Sequence, residues 1–451
     1  MRTPDTPATK ANSLDTPARV GRFCGMSRIL PWLVCAVGLA LVAPRLSAQS
    51  PLQDVLKDTG VAGRWIYTDI DAATAESRRT GKPLLVLFRC VPCQCAAELD
   101  RQITRGGAAL DQLLDRFVCV RVVRMNGVDV RRFQFERDLS LAVLFLNADG
   151  TVYGRYGTRA VAQRTALTHI SLPSFLRALE RVLDLHAAFP GNRAQFAGKQ
   201  PVPGPSQLAD TLPFLRPFPG KQAVQNCIHC HMVGEADLSA RTRAGTLTAS
   251  DIWPFPLPEN LGLRLDVDDG LQVKTVRADS PAGRLGLQPG DQLVALGGQP
   301  FISQADIQWA LHHTPLESKL PITLRRGGEP LTRVLDLSGD WKKSNMPWRE
   351  SLNGARPGFT SGTVHPGDRQ RAGLPADGMA LGVGYVTGAT AKTLLRGGDT
   401  IVAVNDRTDL KTESEFLAYL RLSQPPLKSV RLKVLRKGET REVDLSLEPA
   451  K

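Results

Sequence analysis

Several familiar signatures are missing from this sequence, and each absence removes a class of function. There is neither a Gly-x-Ser-x-Gly elbow nor a Gly-Asn-Ser-Gly loop, and the 7 histidines have no evident nucleophile beside them, so serine proteolysis is set aside. The 57 lysines and arginines exceed the 44 acidic residues but form no long basic run, which describes a solvated surface and argues against a nucleic-acid partner. Aromatic residues are scarce, glycine and proline are plentiful, and an apolar fraction of 42% is ordinary for globular protein. The apolar run Ile29 to Ala43 is too short to cross a bilayer comfortably.

That run instead has the form of an export signal. Met26-Ser27-Arg28 supplies a short basic end, the run supplies the apolar core, and Arg45-Leu46-Ser47-Ala48-Gln49 offers a cleavage point after Ala48. Residues 1–48 are therefore expected to be a leader with its true start at Met26; left uncut, the segment would act as a membrane anchor. The expectation is a periplasmic or cell-envelope protein, in an oxidising compartment where disulfides persist. Without the leader the formal charge falls from +13 to about +9, and about 400 residues remain, enough for three or four modules. Six cysteines remain in two clusters, at 90, 93, 95 and 119 and at 227 and 230.

From Leu52 to Phe189 strand-like and helix-like patterns alternate, which implies a sheet flanked by helices. Trp65 to Ile70 reads as a strand, Asp71 to Thr80 as a helix, and Leu84 to Phe88 as a buried strand. The buried run delivers the chain to Cys90-Val91-Pro92-Cys93, after which Gln94 to Arg101 reads as helix. Phe117 to Val123 and Leu141 to Leu146 are further strands, Asn147-Ala148-Asp149-Gly150 is a hairpin turn, and Leu172 to Leu185 is an amphipathic helix.

This order, with Cys-x-Pro-Cys at a strand-to-helix junction, resembles the thioredoxin fold. A helix N-terminus favours an anion, so Cys90 would ionise and attack a disulfide while Cys93 resolves the intermediate; Arg89 would add to the effect, and Cys95 is a third thiol close by. The sequence departs from the family at Arg89, where a tryptophan is usual, and at Leu141, where a cis-proline shapes the substrate groove. Three readings stay open: a structural disulfide, a redox pair, and a soft-metal site of Cys90, Cys93, Cys95 and Cys119.

Residues 190–225 carry seven prolines and read as a linker. They lead to Cys227-Ile228-His229-Cys230-His231, whose Cys-x-x-Cys-His spacing is the attachment signature of c-type haem: two thiols add to the porphyrin vinyl groups and His231 ligates the iron. A disulfide or half of a zinc site would use the same residues. The segment of residues 226–258 is short for a haem domain, and Met346, Met379, His312, His313 and His365 are the candidates for a second axial ligand.

The C-terminal half repeats itself. Leu287-Gln288-Pro289-Gly290-Asp291-Gln292-Leu293-Val294 matches Leu395-Arg396-Gly397-Gly398-Asp399-Thr400-Ile401-Val402, and each is followed by a helix pattern and a strand pair. Gly-Asp before alternating apolar residues, after Asp279-Ser280-Pro281-Ala282, resembles the PDZ domain of bacterial exported proteins. The resemblance implies a carboxylate-binding loop at Leu261-Gly262-Leu263 and a peptide side-chain pocket lined by Leu263, Leu265, Ile307 and Leu311. A small barrel used only for intramolecular packing is the other reading.

The expected fold is multidomain, α/β plus mainly β. It comprises a thioredoxin-like α/β domain (residues 52–189), the linker, the short Cys-x-x-Cys-His segment, and two PDZ-like partly open β-barrels with helices at 259–338 and 379–448, joined by a linker at 339–378. The whole order, with Trp253-Pro254-Phe255-Pro256 and Trp348-Arg349, resembles a group of exported multidomain proteins of planctomycete-type bacteria; it implies an architecture and brings no established reaction. The leading expectation is an exported redox adaptor that binds a protein C-terminus and carries a haem c and a dithiol. The alternatives are a PDZ scaffold with structural cysteines, and a thiol-disulfide oxidoreductase or metal chaperone.

Overall fold

The computed structural model describes residues 51–447 apart from 59, 62, 159–167, 202, 216–225, 353–356 and 424–426. The expected leader lies outside the described residues. No helix among the described residues is long and apolar enough to cross a membrane.

After a short helix α1 (Pro51–Val55), strand β1 (Trp65–Tyr67) and helix α2 (Ile70–Thr80) open the first domain. The Asp69 carboxylate accepts the Ala72 N–H to start α2, and Gly81, at φ 69°, ends it in the left-handed conformation that glycine adopts without a Cβ clash. Strand β2 (Leu84–Arg89) is buried at every position, and a 3-10 turn at Gln94–Ala96 leads into α3 (Ala97–Arg105), followed by α4 (Ala108–Leu114). Strands β3 (Val118–Val122), β4 (Leu141–Leu146) and β5 (Val152–Tyr156), then α5 (Leu172–Ala187), complete it.

The sheet runs β1-β3-β2-β4-β5. β3 pairs parallel with β1 and β2, while β4 is antiparallel to β2 and β5. Alternate residues of the central strands therefore feed two cores. One, with Leu85, Leu87, Val143 and Phe145, packs against α3, α4 and α5. The other, with Leu84, Val86, Phe88 and Leu144, is covered in part by Ile228, Val233 and Ala236 from around α6 (Cys230–Ala244). Burying side chains such as Ile228 and Val233 contributes about 1.5–3 kcal/mol each. The second cysteine motif thus forms part of the wall of the first domain.

The proline-rich stretch is no free tether. Phe196 and Lys199 are 0% and 1% exposed, because the 3-10 helix Arg193–Lys199 is wedged between the first domain and the next. The Lys199 ammonium donates to Asp306 at 2.9 Å and to the Tyr153 carbonyl at 2.7 Å. Arg155 lies 3.4 Å above the Trp309 ring, and Trp309 Nε1–H donates to the Gly198 carbonyl at 2.9 Å.

The second domain follows the short helix α7 (Ala249–Ile252). It has β6 (Leu263–Leu265), β7 (Val273–Val276), α8 (Pro281–Arg284), β8 (Gln292–Leu296), β9 (Gln299–Pro300), α9 (Gln304–His313), β10 (Ser318–Arg326) and β11 (Glu329–Leu337). β6 and β7 form a two-stranded sheet, and the other four strands run β11-β10-β8-β9. Residues 339–352 are also packed: Met346 is 0% exposed, and the Arg349 guanidinium pairs with Glu136 of the first domain at 2.8 Å.

The third module starts earlier than residue 379, at β12 (Phe359–Thr363). It continues through α10 (Pro366–Arg371), β13 (Leu381–Val386), β14 (Thr400–Val404), α11 (Glu413–Leu422), β15 (Ser429–Arg436) and β16 (Glu439–Ser446), with strand order β12-β13-β14-β15-β16. None of these sheets closes into a barrel among the described residues. The internal repeat is visible in atomic detail. Asp291, 1% exposed, takes the Gln288 N–H and pairs with Arg326, which also donates to the Gly286 carbonyl. Asp399 takes the Arg396 N–H and pairs with Arg436, which donates to the Leu394 carbonyl.

Candidate functional site

Cys90 follows the C-terminal end of the central strand β2, where Cys90 and Cys93 are joined in a disulfide with their Cα atoms 5.4 Å apart. The Cys90 N–H donates to the Ser140 carbonyl at 3.0 Å, immediately before Leu141. Arg89, expected to help ionise Cys90, is committed instead to Asp100 and to backbone carbonyls. Its guanidinium donates to Asp100 at 2.8 Å and to the carbonyls of Cys93 and Ser140 at 2.9 and 3.2 Å, so it fixes the loop through its backbone.

Asp100 is shared with Arg121, which also binds Asp58 at 2.7 Å. Burial works to raise the Asp100 carboxyl, but the hydrogen bond and charge of Arg121 and the charge of Arg89 leave it below the usual carboxylate range. The four-cysteine metal site is not assembled. Cys119 lies in the α3–α5 core with its Sγ 3.7 Å from the Leu114 carbonyl, and burial pushes its thiol up to about 12.

The second cysteine motif is brought to the first. The Ile228 N–H donates to Asn126 Oδ1 at 2.9 Å and the Ile228 carbonyl accepts from the Met125 N–H at 2.7 Å, which pins the segment to the loop after β3. His229 Nδ1 then lies 3.5 Å from Cys90 Sγ, 139 residues away in sequence. A cleft of about 170 Å³ is lined by Cys90, Cys93 and Cys95 on one side and by His229, Cys230 and His231 on another, with Ser140, Trp348 and Glu350 around them.

The two imidazoles stack with centroids 5.8 Å apart, yet their environments push them in opposite directions. Burial, and then the nearby His231, lower the pKa of His229; the hydrogen bond to Glu235 raises that of His231. His229 is accordingly a neutral imidazole beside Cys90, able to take a proton.

Haem attachment would require both sulfurs of the motif at the rim of a slot for a flat macrocycle. Cys227 is 2% exposed. The cleft beside Cys230 and His231, at about 170 Å³, is smaller than the roughly 300–1,000 Å³ of sites that enclose small ligands. Met346, Met379, His312, His313 and His365 are not among its lining residues. The arrangement as folded does not fit a haem. A divalent cation fits better: His231, Glu235 and Glu350 bring ligand atoms within 4.8 Å of one another, the sole such group found among the described residues.

In the second domain Leu261, Leu263, Ile307 and Leu311 are 3%, 2%, 3% and 0% exposed and belong to its core, with the half-buried Leu265 against them. Gly262 is held at φ 84°, where a Cβ would lie 2.1 Å from Ser280 Oγ, and its N–H is bonded to the Glu259 carbonyl. One face of α9 is committed to the first domain through Asp306 and Trp309.

Sequence reasoning missed His229 as the neighbour of Cys90 and missed the Arg89–Asp100–Arg121–Asp58 network. The network has a signal: a single arginine within the apolar strand Val118-Cys119-Val120-Arg121-Val122 implies a buried carboxylate partner.

Family models agree with these two domains. A thioredoxin-like model matches residues 65–148, and a PDZ domain model matches residues 260–337. The chain therefore contains a thioredoxin-like domain and a PDZ domain. Among similar curated proteins, the mitochondrial serine protease HTRA2 of Bos taurus is 42% identical over 67 residues, 15% of this chain and 14% of that protein. A probable periplasmic serine endoprotease DegP-like of Pseudomonas fluorescens is 24% identical over 194 residues, 42% of this chain and 40% of that one. Its counterpart in Pseudomonas savastanoi is 27% identical over 206 residues, with the same coverage. The chain spans less than half the length of each of these relatives. Among solved structures, the HtrA3 PDZ domain bound to a phage-derived ligand (FGRWV) is 29% identical and covers 17% of this chain and 81% of its own, with a TM-score of 0.15.

Proposed function

We propose that this chain is a redox adaptor of the cell envelope, in which the PDZ domain holds the C-terminal peptide of a client protein and the Cys90–Cys93 pair exchanges its disulfide with thiols. The observation that carries this reading is the disulfide opening on a cleft in which a neutral imidazole lies 3.5 Å from Cys90 Sγ. A client thiolate attacks Cys90, a mixed disulfide forms, and Cys93 leaves as a thiolate at the start of the 3-10 turn that leads into α3, where helix N–H groups favour negative charge. A second client thiol then displaces Cys90. The pair gains two electrons, the client gains one disulfide, and the proton that returns to Cys90 is exchanged beside His229. Run in reverse, the dithiol reduces a client disulfide, with His229 accepting the Cys90 proton to form the nucleophile. Export is supported by the periplasmic names of the DegP-like relatives and by the presence of the disulfide itself. No step runs through a haem.

The test pairs two assays on the full chain. Reduced protein should cleave an insulin-type disulfide and lose that activity in Cys90→Ser, and a fluorescent peptide with a free apolar C-terminus should bind while its C-terminal amide does not. Loss of the first alone would leave a PDZ scaffold with a structural disulfide.

A further inference from the structure

The structure places a second Cys-x-x-Cys against the first, and this arrangement has a use beyond the exchange with clients. We infer that Cys227 and Cys230 are an in-chain dithiol that exchanges with the Cys90–Cys93 disulfide, making the cleft an internal relay. The inference rests on the reading of Cys90–Cys93 as redox-active and adds the pair that loads it.

Three observations support it. The segment before α6 delivers its residues to Cys90 itself, as the 3.5 Å contact of His229 with Cys90 Sγ records, and Cys230 is the next residue and lines the same cleft. The segment is fastened there by the two hydrogen bonds of Ile228 and by its apolar burial, so the approach belongs to the fold. The two pairs also share a spacing: each has two residues between its cysteines and leads into a helical turn, and for Cys90 and Cys93 that spacing gives Cα atoms 5.4 Å apart, inside the usual disulfide range.

The exchange balances within the chain. The Cys230 thiol gives its proton to solvent, and its sulfur attacks Cys90 Sγ; a Cys90–Cys230 bond forms and Cys93 leaves and takes up a proton. The Cys227 thiol then gives its proton to solvent and its sulfur attacks Cys230, releasing Cys90, which takes up a proton. The products are a Cys227–Cys230 disulfide and a Cys90/Cys93 dithiol: two electrons have moved from one pair to the other, and no outside oxidant or reductant is used.

The experiment traps the intermediate in the full chain. In Cys93→Ser/Cys227→Ser, with Cys95→Ser added to remove the neighbouring thiol, oxidation in a glutathione buffer followed by peptide mapping should return Cys90 linked to Cys230 as the major product. Recovery of Cys90 as its glutathione adduct with Cys230 still alkylatable would overturn the relay. Because the serines could disturb folding, wild-type protein carrying one disulfide per chain is acid-quenched, alkylated and mapped in parallel with no reductant added. It should contain molecules with a Cys227–Cys230 disulfide and reduced Cys90 and Cys93, and their absence would equally overturn the proposal. Neither measurement uses a client. A chain that forms the link but leaves insulin intact keeps the relay and loses the client exchange, and the converse result does the opposite.

Discussion

Replacing Asp100 by asparagine keeps the side-chain volume and removes one charge from a buried cluster. The cluster holds two guanidiniums and two carboxylates, with side-chain exposures of 2% for Arg89, 0% for Arg121, 11% for Asp100 and 9% for Asp58. Without Asp100 one positive charge is left without a counter-charge in a dry setting, and removing one partner of a buried pair costs about 3–5 kcal/mol. Because Asp100 serves both arginines, the upper half of that range is expected. At about 1.4 kcal/mol per power of ten, the folded fraction falls relative to unfolded by roughly three to nearly four powers of ten, against a total domain stability of about 5–15 kcal/mol. Urea unfolding at matched pH measures it as a lower midpoint with an unchanged slope. Asp115→Asn is the control. It breaks an ion pair with Arg64 in which Asp115 is 67% exposed, and such a pair is worth at most about 1 kcal/mol. Equal midpoints for the two variants would refute the buried network. The pH dependence has a definite sign. The folded Asp100 pKa is lowered, so its contribution is complete above the ordinary carboxylate range and disappears as the pH falls through the lower folded value.

His229→Gln should slow alkylation of reduced Cys90 by roughly 10²-fold, the low end of what a positioned base contributes; in the unsubstituted chain the rate should fall as the pH drops through the lowered pKa of His229. Iodoacetamide kinetics with mass readout decide both points. Asp291→Ala and Asp399→Ala should each cost about 2–3 kcal/mol in urea, since each removes the same backbone bond and the same arginine contact; a large difference between them would deny the repeat its equivalence. Lys199→Met leaves Asp306 buried at 1% exposure without its counter-charge and should cost about 3–5 kcal/mol. Faster proteolysis within residues 190–215 would accompany it, and an unchanged digestion pattern would count against the wedge.

The fold was legible where local pattern and burial agree. Leu84–Arg89 and Leu141–Leu146 are all-apolar runs broken only by the terminal arginine, and both are central strands; the repeated Gly-Asp turn marks two modules whose aspartates make the same bonds. The proline-rich stretch misled because proline content reports local backbone preference and says nothing of what Phe196 and Lys199 meet after folding. Cys-x-x-Cys-His says little about a haem pocket for a related reason. Spacing fixes which sulfurs can share an edge, whereas the room for a macrocycle is set by the loop after β3 and by β2, more than 100 residues away. The same distance in sequence hid the contact between His229 and Cys90.

The most direct test of the redox account is the reduction potential of the Cys90–Cys93 pair in the full chain, measured by equilibration in dithiothreitol and glutathione buffers, acid quenching, alkylation and mass mapping. An exchanging pair beside His229 should titrate above about −300 mV, within reach of envelope thiols. A value well below about −300 mV would mark a structural disulfide and contradict the account.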